Sequence, residues 1–92
     1  MTKFVIIKSS NGEMEIYADI GTINSLVSAL NPTSIVTPSC IICKINGIIN
    51  CAMAVYDINN RGVKIINDKG EYVICKDDIL NAKDILSKGR GV

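Results

Sequence analysis

CIICKINGIINC, residues 40–51, holds three of the chain's four cysteines around a central Asn46-Gly47. Asn-Gly between two apolar runs is a strong hairpin signal, because both residues accept the positive φ of a type I′ turn. A two-residue loop then sets the pairing. Ile45 faces Ile48, Lys44 faces Ile49, Cys43 faces Asn50, Ile42 faces Cys51, Ile41 faces Ala52 and Cys40 faces Met53. Side chains alternate along a strand. One face carries Ile41, Cys43, Ile45, Ile48, Asn50 and Ala52. The other carries Cys40, Ile42, Lys44, Ile49, Cys51 and Met53. Both are rich in isoleucine, so the pattern alone does not say which is covered.

This register also decides the CxxC. Cys40 and Cys43 are three residues apart on a strand and point to opposite sides. A zinc knuckle or a redox pair needs converging sulfurs. That requires a tight turn at Ile41-Ile42, for which two β-branched residues are poor choices. No second CxxC follows, since twenty-three residues separate Cys51 from Cys75, and the chain has no histidine. The expectation is four cysteines acting as small buried hydrophobes, with no metal. A cross-strand disulfide stays open: Cys40 and Cys51 share a face only diagonally, a separation usually too long, and Cys75 on a neighbouring strand could approach Cys43 or Cys51.

Outward from the hairpin, strand and turn signals alternate. Strand 40–45 leads through Asn46-Gly47 to strand 48–58. A turn at 59–62 (NNRG), strand 63–66 (VKII), a turn at 67–70 (NDKG) and strand 71–76 (EYVICK) follow. Short strands joined by polar, Gly-containing turns describe an antiparallel meander. Toward the N-terminus, KFVIIK (3–8) and EMEIYA (13–18) flank Ser9-Ser10-Asn11-Gly12 and form another hairpin. Met14, Ile16 and Ala18 share one face of its second strand.

Between these blocks, Ile23, Leu26, Val27 and Leu30 make one helical stripe. Thr22 is the expected N-cap, Asn31 the left-handed terminator and Pro32 the stop. Residues 31–39 form a connector bracketed by Pro32 and Pro38, with room for an edge strand at 34–37. The C-terminal DDILNAKDILSKGRGV begins with Asp77 or Asp78 as a cap. It continues with an apolar stripe of Ile79, Ala82 and Leu86, and stops at Gly89. Residues 89–92 are expected to fray. The prediction is one α+β domain over residues 1–92, mainly antiparallel sheet: hairpin, helix, four-strand meander and C-terminal helix. Such a sheet can close into a small barrel.

Composition narrows the function classes. A chain of 92 residues buries only about 60–65% of its unfolded surface. Yet 48% of it is apolar, with seventeen isoleucines and seven valines. Apolar surface left over usually marks an interface, which predicts self-association, most simply a two-fold dimer. Ten basic residues balance nine acidic ones, and no basic block exists. A strong nucleic-acid footprint is a basic stripe. The apolar run Phe4–Ile7 is too short for a secretory leader, and no run approaches the length of a membrane span. The expected location is the cytoplasm.

Catalytic constellations are missing. Without histidine there is no ordinary serine or cysteine triad. Glu13 and Glu15 suit a solvated strand face, Asp77 and Asp78 a helix start, Asp57 and Asp68 turns. The glycines are dispersed rather than gathered into a phosphate loop. No cofactor motif is present. The leading expectation is a small non-enzymatic interaction or regulatory module, acting as a homodimer with an unidentified protein partner, of the kind that viral or mobile-element accessory proteins supply. The alternative is a nucleic-acid-binding small barrel using Lys64, Lys69, Lys76, Lys83, Lys88 and Arg90, with Tyr56 and Tyr72 as stacking platforms. Lysines on edge strands also simply block aggregation.

Overall fold

The computed structural model describes residues 3–32, 40–59 and 62–90. The elements run β1 (Val5–Lys8), β2 (Met14–Ala18), α1 (Ile20–Ala29), β3 (Ile41–Ile45), β4 (Ile48–Asp57), β5 (Gly62–Asn67), β6 (Gly70–Cys75) and α2 (Lys76–Ser87). Every strand pairs antiparallel with its neighbour in sequence, so the sheet order is β1-β2-β3-β4-β5-β6. The sheet curls into a half-barrel and stops short of closure. The α+β class and the meander are those expected. The possible edge strand at 34–37 lies outside the described residues.

The Asn-Gly hairpin forms with the expected register, from Ile45–Ile48 to Ile41–Ala52. Asn46 has φ 52° and Gly47 φ 78°, the two positive values a type I′ corner requires. β4 then changes partners. Its residues Ile48–Ala52 pair with β3, and Met53–Asp57 pair with β5. This switch lets one long strand belong to both halves of the curl.

The first hairpin is closed by side chains as well as backbone. Ser9 N–H donates to the Met14 carbonyl at 2.9 Å, and Met14 N–H donates to Ser9 Oγ at 3.1 Å. Asn11 Oδ1 accepts from Glu13 N–H at 3.0 Å and from Ser9 Oγ at 2.7 Å. At the β5–β6 corner Asn67 Oδ1 accepts from Lys69 N–H at 2.8 Å. After β4, Asp57 Oδ1 accepts from Asn59 N–H at 3.1 Å. Asn and Asp offer the chain a turn in this way without help from elsewhere.

Helix ends depart from expectation. α1 begins one turn earlier than the stripe suggests. Asp19 is its N-cap, accepting Thr22 N–H at 2.8 Å. Its C-cap is Leu30, and Asn31 is not left-handed, since Asn46 is the positive-φ non-glycine among the described residues. α2 starts directly from β6. Cys75 occupies the N-cap position with no side-chain cap bond, and Asp77 and Asp78 lie in the first turn, where the helix dipole favours them. Residues 89–90 are tied rather than frayed. Gly89 (φ 70°) donates to Leu86 O and Arg90 donates to Ile85 O at 2.9 Å, a Schellman closure. Lys3 Nζ donates to the Gly89 carbonyl, joining the two ends of the chain.

The helices cover one face of the sheet, the face enclosed by the curl. Ile23, Leu26 and Ala29 of α1 and Ile79 and Ala82 of α2 meet Met14, Ile16, Ile41, Cys43, Ile45, Val63, Ile65 and Ile74 in one buried cluster. Each strand contributes alternate residues, as a half-covered sheet must.

Candidate interaction surfaces

The convex face is built from the other half of each strand. Ile42 (53% exposed), Ile49 (66%), Met53 (46%) and Ile6 (45%) stand on it. Tyr17 joins them, stacked on Phe4 with ring centres 5.8 Å apart and planes 7° from parallel. Lys44 Nζ lies 5.1 Å from the Tyr17 ring centre, a cation–π distance. Tyr17, Ile42, Cys43, Lys44 and Ile49 line a hollow of about 190 Å³ in the middle of this face. Next to it, Lys8, Glu15, Lys44 and Ile49 follow one another across β1–β4. Glu15 is therefore flanked by two lysines, a stabilising cross-strand arrangement and not a carboxylate pair with Glu13.

The cysteines divide by face. Cys43 points inward and is buried; desolvation pushes its thiol above the ordinary value. Its Sγ lies 3.8 Å from the Asn50 carbonyl oxygen, a weak donor contact. Cys40 lies on the outer side, so the two sulfurs of the CxxC do not converge. Cys40 and Cys51 are instead joined as a disulfide, with Cα atoms 5.4 Å apart. This corrects the expectation that their diagonal is too long. Cys40 precedes the last ladder pair, Ile41–Ala52, and β4 leaves β3 directly after Ala52. The two residues are thus not held to ideal diagonal spacing, and 5.4 Å suits a bridge. Cys75 is a free, exposed thiol at the start of α2. Among the described residues, no three His, Cys, Asp or Glu side chains gather as metal ligands would.

The basic residues proposed for nucleic acid are spread over β5, its corner with β6, and α2 with its C-terminal turn. Lys64 stands on the outer side of β5, 3.9 Å from Glu71. Lys69 is in the β5–β6 corner, and Lys76 is the first residue of α2, two helical turns before Lys83. Lys83 and Lys88 lie on or beside α2, and Lys88 pairs with Asp84 at 3.1 Å. Arg90 ends the Schellman turn. Tyr72 is no stacking platform, because it is 8% exposed and part of the core. Tyr56 pairs with Val63 and turns toward the inner side, half-buried.

A second concavity lies at the open seam of the half-barrel. Residues of β1, Ser9 and Ser10, Cys75, and Asp78, Asn81, Ala82 and Ile85 of α2 surround about 540 Å³. Sequence reasoning missed it, because it joins segments some seventy residues apart. No helix among the described residues is long and apolar enough to cross a membrane. Comparison with protein-family models, curated proteins and solved structures finds no match.

Proposed function

We propose that the chain is a small non-enzymatic interaction module that acts as a homodimer through the convex face of its sheet. The observation that carries this reading is the run of exposed apolar side chains Ile6, Tyr17, Ile42, Ile49 and Met53 on one continuous surface. Water-exposed apolar surface of this kind is stabilised by burial at roughly 25 cal/mol per Å². Two-fold association suits it, because an apolar centre is complementary to itself. Two such faces can stack about 10 Å apart with interdigitated side chains. Lys8, Glu15 and Lys44 alternate in sign beside the apolar centre, so a rotated copy meets both charges rather than one. The Cys40–Cys51 bridge stands on the same face and adds apolar surface to it.

Sedimentation velocity at micromolar concentration tests this. The expected result is a dimer for the unaltered chain and a folded monomer for Ile42→Lys or Ile49→Lys. A unaltered chain that stays monomeric, or lysine variants that still dimerise, overturns the reading. The dispersal of Lys64, Lys69, Lys76, Lys83, Lys88 and Arg90 favours this reading over nucleic-acid binding.

A further inference from the structure

β1 is an edge strand, and the directions of its backbone groups follow from two hydrogen bonds. Ser9 N–H donates to Met14 O at 2.9 Å, so Ser9–Met14 is a bonded pair at the head of the β1–β2 ladder. Bonded and non-bonded pairs alternate in an antiparallel ladder. Ile7–Ile16 and Val5–Ala18 are therefore bonded, while Ile6–Tyr17 and Lys8–Glu15 are not. The N–H and C=O groups of Ile6 and Lys8 point away from β2, toward the seam.

The opposite side of the seam is β6. Its Val73 carbonyl accepts Ser10 N–H at 2.8 Å, and this bond stitches the two edges at one point. Further along, no strand among the described residues faces β1, because β6 ends at Cys75 and α2 takes over. α2 presents Asp78, Asn81, Ala82 and Ile85, spaced i, i+3, i+4 and i+7, as the far wall of the 540 Å³ cleft. An unpaired strand edge and a helix stripe thus form the two sides of one groove.

We propose that this groove takes an extended peptide segment of a partner protein, which adds to β1 as a strand. The occupant follows from the edge chemistry. Two N–H and two C=O groups at alternate residues are matched by another extended backbone. A strand paired with β1 lies about 4.8 Å outside it, on the side where the cleft opens, and β1 accommodates a segment about 13 Å long. Side chains of the segment that turn toward α2 meet the half-buried Ile85 beside the exposed Asn81, so an apolar residue fits there. This site uses the backbone edge of Ile6 and Lys8, whereas the convex-face contact uses their side chains, and it does not depend on that contact.

The probe is the blocked peptide acetyl-Lys-Thr-Val-Thr-Val-Lys-amide, titrated into ¹⁵N-labelled full chain. Expected are saturating shifts of the Ile6 and Lys8 amides together with Asn81, Ala82 and Ile85, and slower hydrogen exchange at Ile6 and Lys8. The same peptide N-methylated at its valines, lacking those backbone donors, should bind at least about tenfold more weakly. Asn81→Phe fills the groove from an exposed position, and Ile6→Pro removes an edge donor where proline is tolerated. Each should weaken binding by a similar factor while the remaining spectrum stays native. Ile42→Lys should leave peptide binding unchanged, which separates this test from that of the dimer. No shifts up to the solubility of the peptide, or equal binding of the N-methylated form, overturns the proposal. So do Ile6 and Lys8 amides that shift on raising the concentration of the Ile42→Lys variant alone, since the edge then belongs to a second copy even without the convex-face contact.

Discussion

The two faces of the sheet use nearly the same amino acids and meet opposite fates. On β3, Ile41 and Ile45 are buried in the concave core, while Ile42 between them is more than half exposed. On β4, Ala52 and Ala54 are buried and Ile49 and Met53 are not. Between Ile49 and Ala54 the bulkier apolar side chains of β4 thus stand outside and the alanines inside. Hydrophobicity does not sort these residues. Strand parity and the position of the two helices do. Small residues are needed where β4 passes beneath α1, and the bulky ones are left for the other face.

The sharpest way to break that contrast is to truncate neighbouring isoleucines. Ile41→Ala removes buried methyl groups and leaves a cavity, so chemical denaturation should show a loss of about 2–5 kcal/mol. Ile42→Ala, one residue away, should change stability by no more than about 0.5 kcal/mol, measured at a concentration where sedimentation shows the chain to be monomeric. Equal losses at the two positions would mean that both faces are covered within a single chain.

A second test addresses the curl that makes one face concave. Gly62 is buried beside β6, and a methyl group built on it would overlap the Ile74 carbonyl oxygen. Backbone cannot yield as the tip of a side chain can. Gly62→Ala should therefore cost about 1–3 kcal/mol, read as a lower denaturation midpoint. A neutral substitution would show that β5 and β6 can separate without disturbing the concave packing.

Legibility follows the range of the interactions. The Asn46-Gly47 corner, the register of Ile41–Ile45 on Ile48–Ala52 and the turn roles of Asn11, Asp57 and Asn67 rest on residues close in sequence, and all could be read there. Helix starts were harder. Asp19 and Thr22 are both good caps, and the choice between them turns on whether Ile20 and Gly21 join the helix. Cys75 is a poor cap by type, but α2 begins there because β6 runs into it without a linker. The Cys40–Cys51 bond depends on β4 changing partners after Ala52, which single-hairpin geometry does not contain. The seam groove requires β1 and α2 to meet, and no local pattern announces that.

The smallest expected effect concerns the helix that covers the concave face. Asp19 caps α1, and the Thr22 N–H bond, with lesser help from the Thr22 hydroxyl, holds its carboxyl below the ordinary 3.8. A carboxyl depressed in the folded state stabilises the fold at pH above its unfolded value. That contribution disappears as pH falls through the folded value. Asp19→Ala should cost about 1 kcal/mol at neutral pH, toward the low end because the group is partly exposed. The gap between the two proteins should narrow below about pH 4. Hydrogen exchange adds the sharper reading: amides of α1 should lose protection while the β3–β4 hairpin keeps it, because the hairpin's corner is local and its outer face never depended on the helix. A gap that stays constant down to pH 2 would mean that the charge of Asp19 plays no part in holding α1 over the core.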